Sequence, residues 1–282
     1  MLIIEKTARM QETSDRLRTS GKKIALVPTM GFLHDGHIEL LRQGRQRSDV
    51  LILSIFVNPT QFGPSEDYAK YPRDPEGDLK KAESAGTDFV FTPPVSEMYT
   101  ELSQTTVRVE KIPKHLCGLS RPGHFEGVAT VVAKLFNITK PHMALFGEKD
   151  FQQLAVIRRM TSDLNMDVEI IGIPTVREPD GLAMSSRNKY LNAEERRSAL
   201  CLKKSIDMAL AMIKDGERDP ERIKTSIREL ILSHPFTEID YVSICDPVSL
   251  DDINRIHEKA LLALAVKVGK TRLIDNRQMV IV

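Results

Sequence analysis

The sequence predicts an α/β protein: a parallel-sheet domain over residues 1–176 and a smaller C-terminal α+β domain over 177–282. Three observations carry this. Residues 50–57, VLILSIFV, form an unbroken β-branched-rich run, the pattern of a strand buried on both faces of a parallel sheet. Twice, at 24–31 and at 143–147, a short apolar run ends at a glycine and a helix-compatible segment follows. Beyond residue 177 no such unit recurs, and helical patterns give way to strand patterns near the C-terminus.

Taken in order, residues 5–20 are polar with spaced apolar positions and stop at Gly21, which predicts a helix ahead of the first strand. Ile24 to Val27 is a buried strand that breaks at Pro28, turns through Met30 and Gly31, and closes on His34, Asp35, Gly36 and His37 before a helix over 38–47. The strand at 50–57 ends in a turn, NPTQFGP, beyond which ligands collect in open α/β sheets. Asn58 and Gln61 could orient a substrate there, or the turn could be rich in Asn, Pro and Gly for backbone reasons alone. Residues 65–78 are hydrophilic and carry Pro72 and Pro75, a long connection of the kind that serves as a lid. A helix over 75–86, a strand over 88–92 and a half-exposed strand over 105–110 follow. Residues 119–126 read as a turn holding Arg121 and His124, and 127–138 as a helix with a Val-rich packing face.

The strand at 143–146 ends at Gly147, Glu148, Lys149 and Asp150, and 151–160 is helical, with Gln152 and Gln153 in its first turn. Lys149 could neutralise a phosphate and Asp150 could take ribose hydroxyls, although Gly-Glu-Lys-Asp is also a common surface turn. A strand region over 168–176, interrupted by Pro174, leads to the turn 177–181 and to Met184, Ser185, Ser186 and Arg187. Two hydroxyls and a guanidinium in a row can bind phosphate oxygens. Asn192 is set as an N-cap with Glu194 and Glu195 behind it. Helices over 193–214 and 220–232, separated by Gly216, and strands over 238–245, 260–268 and 272–274 complete the chain.

Composition bounds the function. With 282 residues, 41% hydrophobic and 28% charged, the chain has the make-up of a soluble globular protein. A formal net charge of +1 gives no global drive toward nucleic acid or membrane, so neither is expected as a partner. No apolar run approaches the roughly 20 residues of a spanning helix. The apolar N-terminus, 1–4, is too short for a signal peptide and lacks a basic leader, so a cytoplasmic enzyme is expected. Cys117, Cys201 and Cys245 are widely spaced without a Cys-x-x-Cys pair, which indicates neither a zinc site nor a disulfide frame.

The chemistry gathers at 24–37. Strand, glycine turn and helix start present backbone N–H groups toward an anion. His34 and His37, three residues apart, share a face if the first turn is helical. His-x-Gly-His after a first strand resembles the signature of nucleotidyltransferases and class I aminoacyl-tRNA synthetases. The 182–188 stretch resembles the mobile loop that accompanies that signature, with Arg187 in the basic role. Residues 28–37, 54–64, 147–153 and 180–188, in that order, resemble the pantoate–β-alanine ligase family over nearly the whole chain.

That resemblance implies a Rossmann-like first domain and an ATP-dependent condensation of (R)-pantoate with β-alanine through pantoyl adenylate, with Mg²⁺ accompanying ATP and no other cofactor. It implies His34, His37, Lys149 and Arg187 as catalytic residues, His37 as proton donor. Met30, Gly31, Phe32, Leu33, His34, Asp35, Gly36 and His37 would bind ATP, with Gly147, Glu148, Lys149, Asp150, Val176, Met184, Ser185, Ser186 and Arg187. Gln61 and Gln153 would hold pantoate, Asn58 being a further candidate, and Gln61 would also touch β-alanine. A homodimer is expected, with 105–126 offering contacts. The alternatives are an adenylyl transfer that forms no amide, a nucleotide-binding sensor and, less suited to so short a chain, a tRNA ligase.

Overall fold

The computed structural model describes residues 1–64 and 66–281, so Ser65, the first residue of the expected lid, lies outside the described residues. Two compact units are resolved. The first comprises Met1–Glu110, Arg121–Glu148 and Gln153–Pro174; the second comprises Lys111–Ser120, Lys149–Gln152 and the chain from Thr175 onward.

The first unit is built on six parallel strands: β1 (Leu2–Ile4), β2 (Ile24–Thr29), β3 (Val50–Ile55), β4 (Phe89–Phe91), β5 (Met143–Gly147) and β6 (Glu169–Ile173). Their order across the sheet is β1-β4-β3-β2-β5-β6. Strand order therefore reverses between β2 and β5, the place where open α/β sheets take their ligands beyond the carboxyl ends. Ile24, Ala25, Leu26 and Val27 are fully buried, as are Leu51, Ile52 and Leu53. Apolar runs without alternation thus mark strands covered on both faces. On one face Ala25, Val27, Leu51, Leu53, Val90 and Leu145 pack with Leu40 and Leu41 of α2 (Asp35–Arg47) and Ala82 of a helix over Pro75–Ser84. A helix over His124–Thr139 packs against β2 and against a helix over Thr7–Thr19.

Several expectations need correction. β2 does not break at Pro28 but runs to Thr29, with Pro28 opposite Ser54 of β3. The missing proline N–H is tolerated because β5 pairs with β2 only at Ala25 and Leu26. Residues 105–110 form no strand; the Val107 N–H bonds to the Thr130 hydroxyl at 2.9 Å, so a side chain stands where a strand partner was expected. The helix expected from residue 127 begins at His124, because Gly123, at φ 81°, turns the chain into it earlier. The long helix over 193–214 is two, Ala193–Ala199 and Cys201–Lys214, meeting at Leu200. Asn192 caps the first, accepting from the N–H groups of Glu194 and Glu195 at 2.9 Å each.

The second unit carries an antiparallel sheet of β7 (Thr237–Cys245), β8 (Lys259–Val268) and β9 (Thr271–Val280). The helices Cys201–Lys214 and Pro220–Leu232 pack on it through Leu202, Ile206, Ile223 and Ile227, which meet Leu262, Leu264 and Val266. β9 is far longer than the 272–274 expected, because it pairs with β8 along its whole length, polar residues included.

Candidate active site

The turn between β2 and α2 is shaped by side chains from elsewhere in the first unit. Gly31 at φ 82° and Phe32 at φ 52° both occupy the left-handed region. The turn is held there by Asp78, only 2% exposed, whose carboxylate accepts from the N–H of Phe32 at 2.8 Å and of Leu33 at 2.6 Å. A Cβ on Gly31 would stand 2.9 Å from that carboxylate, so glycine is required twice over. Lys81, one helical turn after Asp78, donates to the Leu33 carbonyl at 2.7 Å. The Gly31 N–H goes to the Thr29 hydroxyl at 3.2 Å. Three N–H groups of the turn are thus engaged by protein groups, those of Phe32 and Leu33 by the buried Asp78 carboxylate and that of Gly31 by the Thr29 hydroxyl.

His34 is the N-cap of α2, and its N–H donates to Nδ1 of His37 at 3.2 Å. A ring nitrogen that accepts carries no proton, so neutral His37 is the Nε2–H tautomer. The two imidazoles are tilted against each other, with centroids 4.0 Å apart and planes inclined by 32°. They share one side of the helix start, as the spacing predicts.

Beyond β3, Pro59–Gln61 form one 3-10 turn. Asn58, 1% exposed, is committed to protein partners. Its amide donates to the Gln61 Oε1 and the Gly127 carbonyl at 3.1 Å each, and its oxygen accepts from the Tyr99 hydroxyl at 2.9 Å. Asn58 therefore orients Gln61, whose Nε2 lies 3.3 Å from the Met30 sulfur. Burial pushes the Tyr99 phenol up, which keeps it a donor. His124 clamps the same turn from the other side. Its Nε2 lies 2.9 Å from an Arg121 Nη1 that can only donate, so its Nδ1 carries the proton given to the Gln61 carbonyl at 2.8 Å. Arg121 pairs through two nitrogens with Glu66, at 2.6 and 2.7 Å. Burial works to raise the Glu66 carboxyl, but the Arg121 hydrogen bond and charge outweigh it and hold it below its ordinary range.

Gly147 closes β5, and Glu148–Asp150 form a 3-10 turn into the helix Phe151–Asp163. Glu148 belongs to the first unit and Lys149 and Asp150 to the second, with the Lys149 ammonium 3.7 Å from the Asp150 carboxylate. Gln153 is half-buried in the first turn of that helix, while Gln152 is structural, its amide donating to the carbonyls of Ile112 and His115. In the second unit the Met184 N–H bonds to the Val176 carbonyl at 3.0 Å and Arg177 pairs with Ala183, making a hairpin ahead of Ser185. Ser185 caps a 3-10 turn over Ser186–Tyr190, accepting from the Arg187 N–H at 3.3 Å. Asn188, buried, ties that turn to Glu178 at 2.6 Å and to the Ala183 carbonyl at 3.0 Å.

A family model described as pantoate-beta-alanine ligase matches residues 2–278. The chain belongs to the pantoate–β-alanine ligase family. It is 58% identical to the pantothenate synthetase of Geobacter sulfurreducens over 276 residues, covering 98% of each chain. It is also 58% identical to that of Syntrophus aciditrophicus, covering 98% of this chain and 96% of the relative. Among solved structures, the pantothenate synthetase of Thermus thermophilus superposes with a TM-score of 0.93 at 41% identity, covering 98% of this chain and 99% of that one. The pantoate–β-alanine ligase of Francisella tularensis, complexed with β-γ ATP and β-alanine, superposes at 0.79 with 33% identity, covering 98% and 97%.

The ligase therefore joins pantoate to β-alanine in an ATP-dependent condensation that yields pantothenate. Three residues that shape its turns escape a reading by motif: Asp78, Arg121 in its pairing with Glu66, and Gly127. Asp78 sits in a polar helix where carboxylates are ordinary, and only the packing of that helix beside α2 brings it under the histidine turn. A Cβ on Gly127 would stand 2.4 Å from the Thr60 carbonyl oxygen. A glycine inside a helical pattern, costly there unless something packs against it, is the signal that could have found it.

Proposed function

We propose that the ligase works through pantoyl adenylate, with the two histidines acting on the phosphate being transferred. A carboxylate oxygen of pantoate attacks the α-phosphorus of ATP, the bond to the bridging oxygen of the β-phosphate breaks, and pyrophosphate leaves. The amine of β-alanine then attacks the acyl carbon, the acyl–oxygen bond breaks, the amine gives up a proton, and AMP leaves with pantothenate. The first step builds negative charge on phosphate oxygens, which preorganised donors stabilise.

One observation carries this reading: the His34 N–H held by His37 Nδ1 at the start of α2, just beyond the strand next to the order reversal. It leaves the Nε2–H of His37 as the ring's donor, which suits a developing phosphate charge at neutral pH without prior protonation. His34 and the turn Met30, Gly31, Phe32, Leu33, Asp35 and Gly36 line the ATP site with it. Gly147, Glu148, Lys149, Asp150, Val176, Met184, Ser185, Ser186 and Arg187 complete it by the family pattern, the cations Lys149 and Arg187 meeting the triphosphate. Gln61 and Gln153 hold pantoate, Asn58 stands behind Gln61, and Gln61 also touches β-alanine. Mg²⁺ would accompany ATP and would neutralise charge on its phosphates. Among the described residues no group of three or more His, Cys, Asp or Glu is arranged to hold a metal. We place the ligase in the cytoplasm as a homodimer; among the described residues no helix is long and apolar enough to cross a membrane, and Leu119, 73% exposed, offers apolar surface.

The test is omission. With ATP and pantoate but no β-alanine, the reading expects pyrophosphate exchange into ATP, dependent on pantoate; with all three, AMP, pyrophosphate and pantothenate appear in equal amounts. Exchange that proceeds without pantoate, or ADP as product, would sink it. Sedimentation over a range of concentrations tests the dimer.

A further inference from the structure

β9 carries two consecutive buried polar residues at its centre, Asp275 at 2% and Asn276 at 8% exposure. Neighbouring residues of a strand point to opposite faces, so both faces are covered here, and a carboxylate and an amide placed there need partners. Asp275 pairs with Arg177 through both oxygens, Nη1 at 2.7 Å and Nη2 at 2.9 Å, and also accepts the Asn276 N–H at 2.8 Å. The same Arg177 Nη1 donates to the Gly181 carbonyl at 3.1 Å, closing the hairpin that runs into Ser185, Ser186 and Arg187. Asn276 Nδ2 donates to the Lys149 carbonyl at 2.7 Å. Two adjacent residues of one strand thus hold the backbones of two turns that are far apart in sequence.

We propose that Asn276 and Asp275 are positioning residues for the nucleotide: Asn276 fixes the carbonyl of Lys149, and Asp275, through Arg177, fixes the hairpin that presents Ser185 to Arg187. This rests on the reading that Lys149 and Arg187 meet the triphosphate. The C-terminal sheet thereby acts as the jig for cationic turns of the ATP site. A strand serving only as core would gain from apolar side chains at these two places, where burying polar groups brings no hydrophobic stabilisation. Fixing that carbonyl limits the backbone freedom of the residue that carries the ammonium.

The experiment is a double-mutant cycle on the full-length ligase with Asn276→Ala and Lys149→Ala, reading kcat, each KM and Tm. Asn276→Ala is expected to lower kcat/KM for ATP roughly 10-fold while KM for β-alanine stays within about two-fold. On the Lys149→Ala background the same change should add less than about a further two-fold, since the group it aims is gone. Asn276→Leu keeps the bulk of the side chain but removes the donor and should match the alanine variant, which guards against a variant that merely packs badly. Asp275→Asn against Arg187→Ala repeats the cycle for the other arm. If Lys149→Ala alone leaves ATP kinetics unchanged, the reading of Lys149 has failed. If Lys149→Ala is damaging but Asn276→Ala is silent, or the two losses multiply in full, the positioning role has failed. A loss of activity that only follows the fall in folded fraction counts against it equally.

Discussion

On the proposed mechanism, His37 acquires its chemistry from one hydrogen bond. Its Nδ1 is tied to the His34 N–H, so the proton-bearing nitrogen is decided before substrate arrives. Replacement by alanine should slow adenylation by about 10²–10³-fold, the usual loss of one transition-state donor. Pre-steady-state rates of the two half-reactions check this; a loss confined to amide formation would refute it. Asp78→Ala should leave the Phe32 and Leu33 N–H groups without their acceptor, at about 1–3 kcal/mol each, and lower both Tm and the adenylation rate. Burial raises the thiol of Cys201 to about 11 and that of Cys245 to about 12, so both stay protonated at pH 8. Mass spectrometry after iodoacetamide treatment of the native enzyme at that pH should find both unmodified.

At the scale of elements, packing of the His124–Thr139 helix against the Pro59–Gln61 turn is the sensitive joint. Gly127→Ala places a methyl against the Thr60 carbonyl, and backbone must move. The expected result is a KM for pantoate raised several-fold with KM for ATP little changed, measured by steady-state kinetics. The Glu66–Arg121 pair ties the same turn to the same helix start. Because the Glu66 carboxyl is held below its ordinary range, its stabilisation is complete above that range and is lost as pH falls through the depressed value. Thermal melts between about pH 6 and 3 should therefore show Glu66→Gln losing less Tm on acidification than the parent. The strands that start at residues 24 and 50 and the Asn192 cap were legible because each is written in local pattern, although the first runs past Pro28 and the second stops at Ile55. Residues 105–110 misled because alternation alone cannot tell a paired strand from an extended segment bonded to a helix side chain.

For the whole molecule, strand order decides which turns lie side by side. The sheet reverses between β2 and β5, so the His34–His37 turn and the Gly147–Glu148 turn leave from adjacent strands, although more than a hundred residues separate them. That scaffold should be stiff. Leu53, fully buried between β3's neighbours, is expected to cost about 2–5 kcal/mol on change to alanine, with KM values nearly unchanged in the folded fraction, as read by urea unfolding and kinetics.

The sequence by itself determined the α/β class, the positions of the four motif turns and the family, because apolar runs, glycine breaks and motif residues are properties of short stretches. Tertiary structure alone decided which groups hold those turns: Asp78 beneath Phe32, His124 against Gln61, and Asn276 against Lys149. Each of these joins residues 45 or more positions apart, and a single polar residue in a helix or strand carries no mark of its distant partner. Only folding, by burying a charge or an amide where it must find a donor or an acceptor, makes the choice.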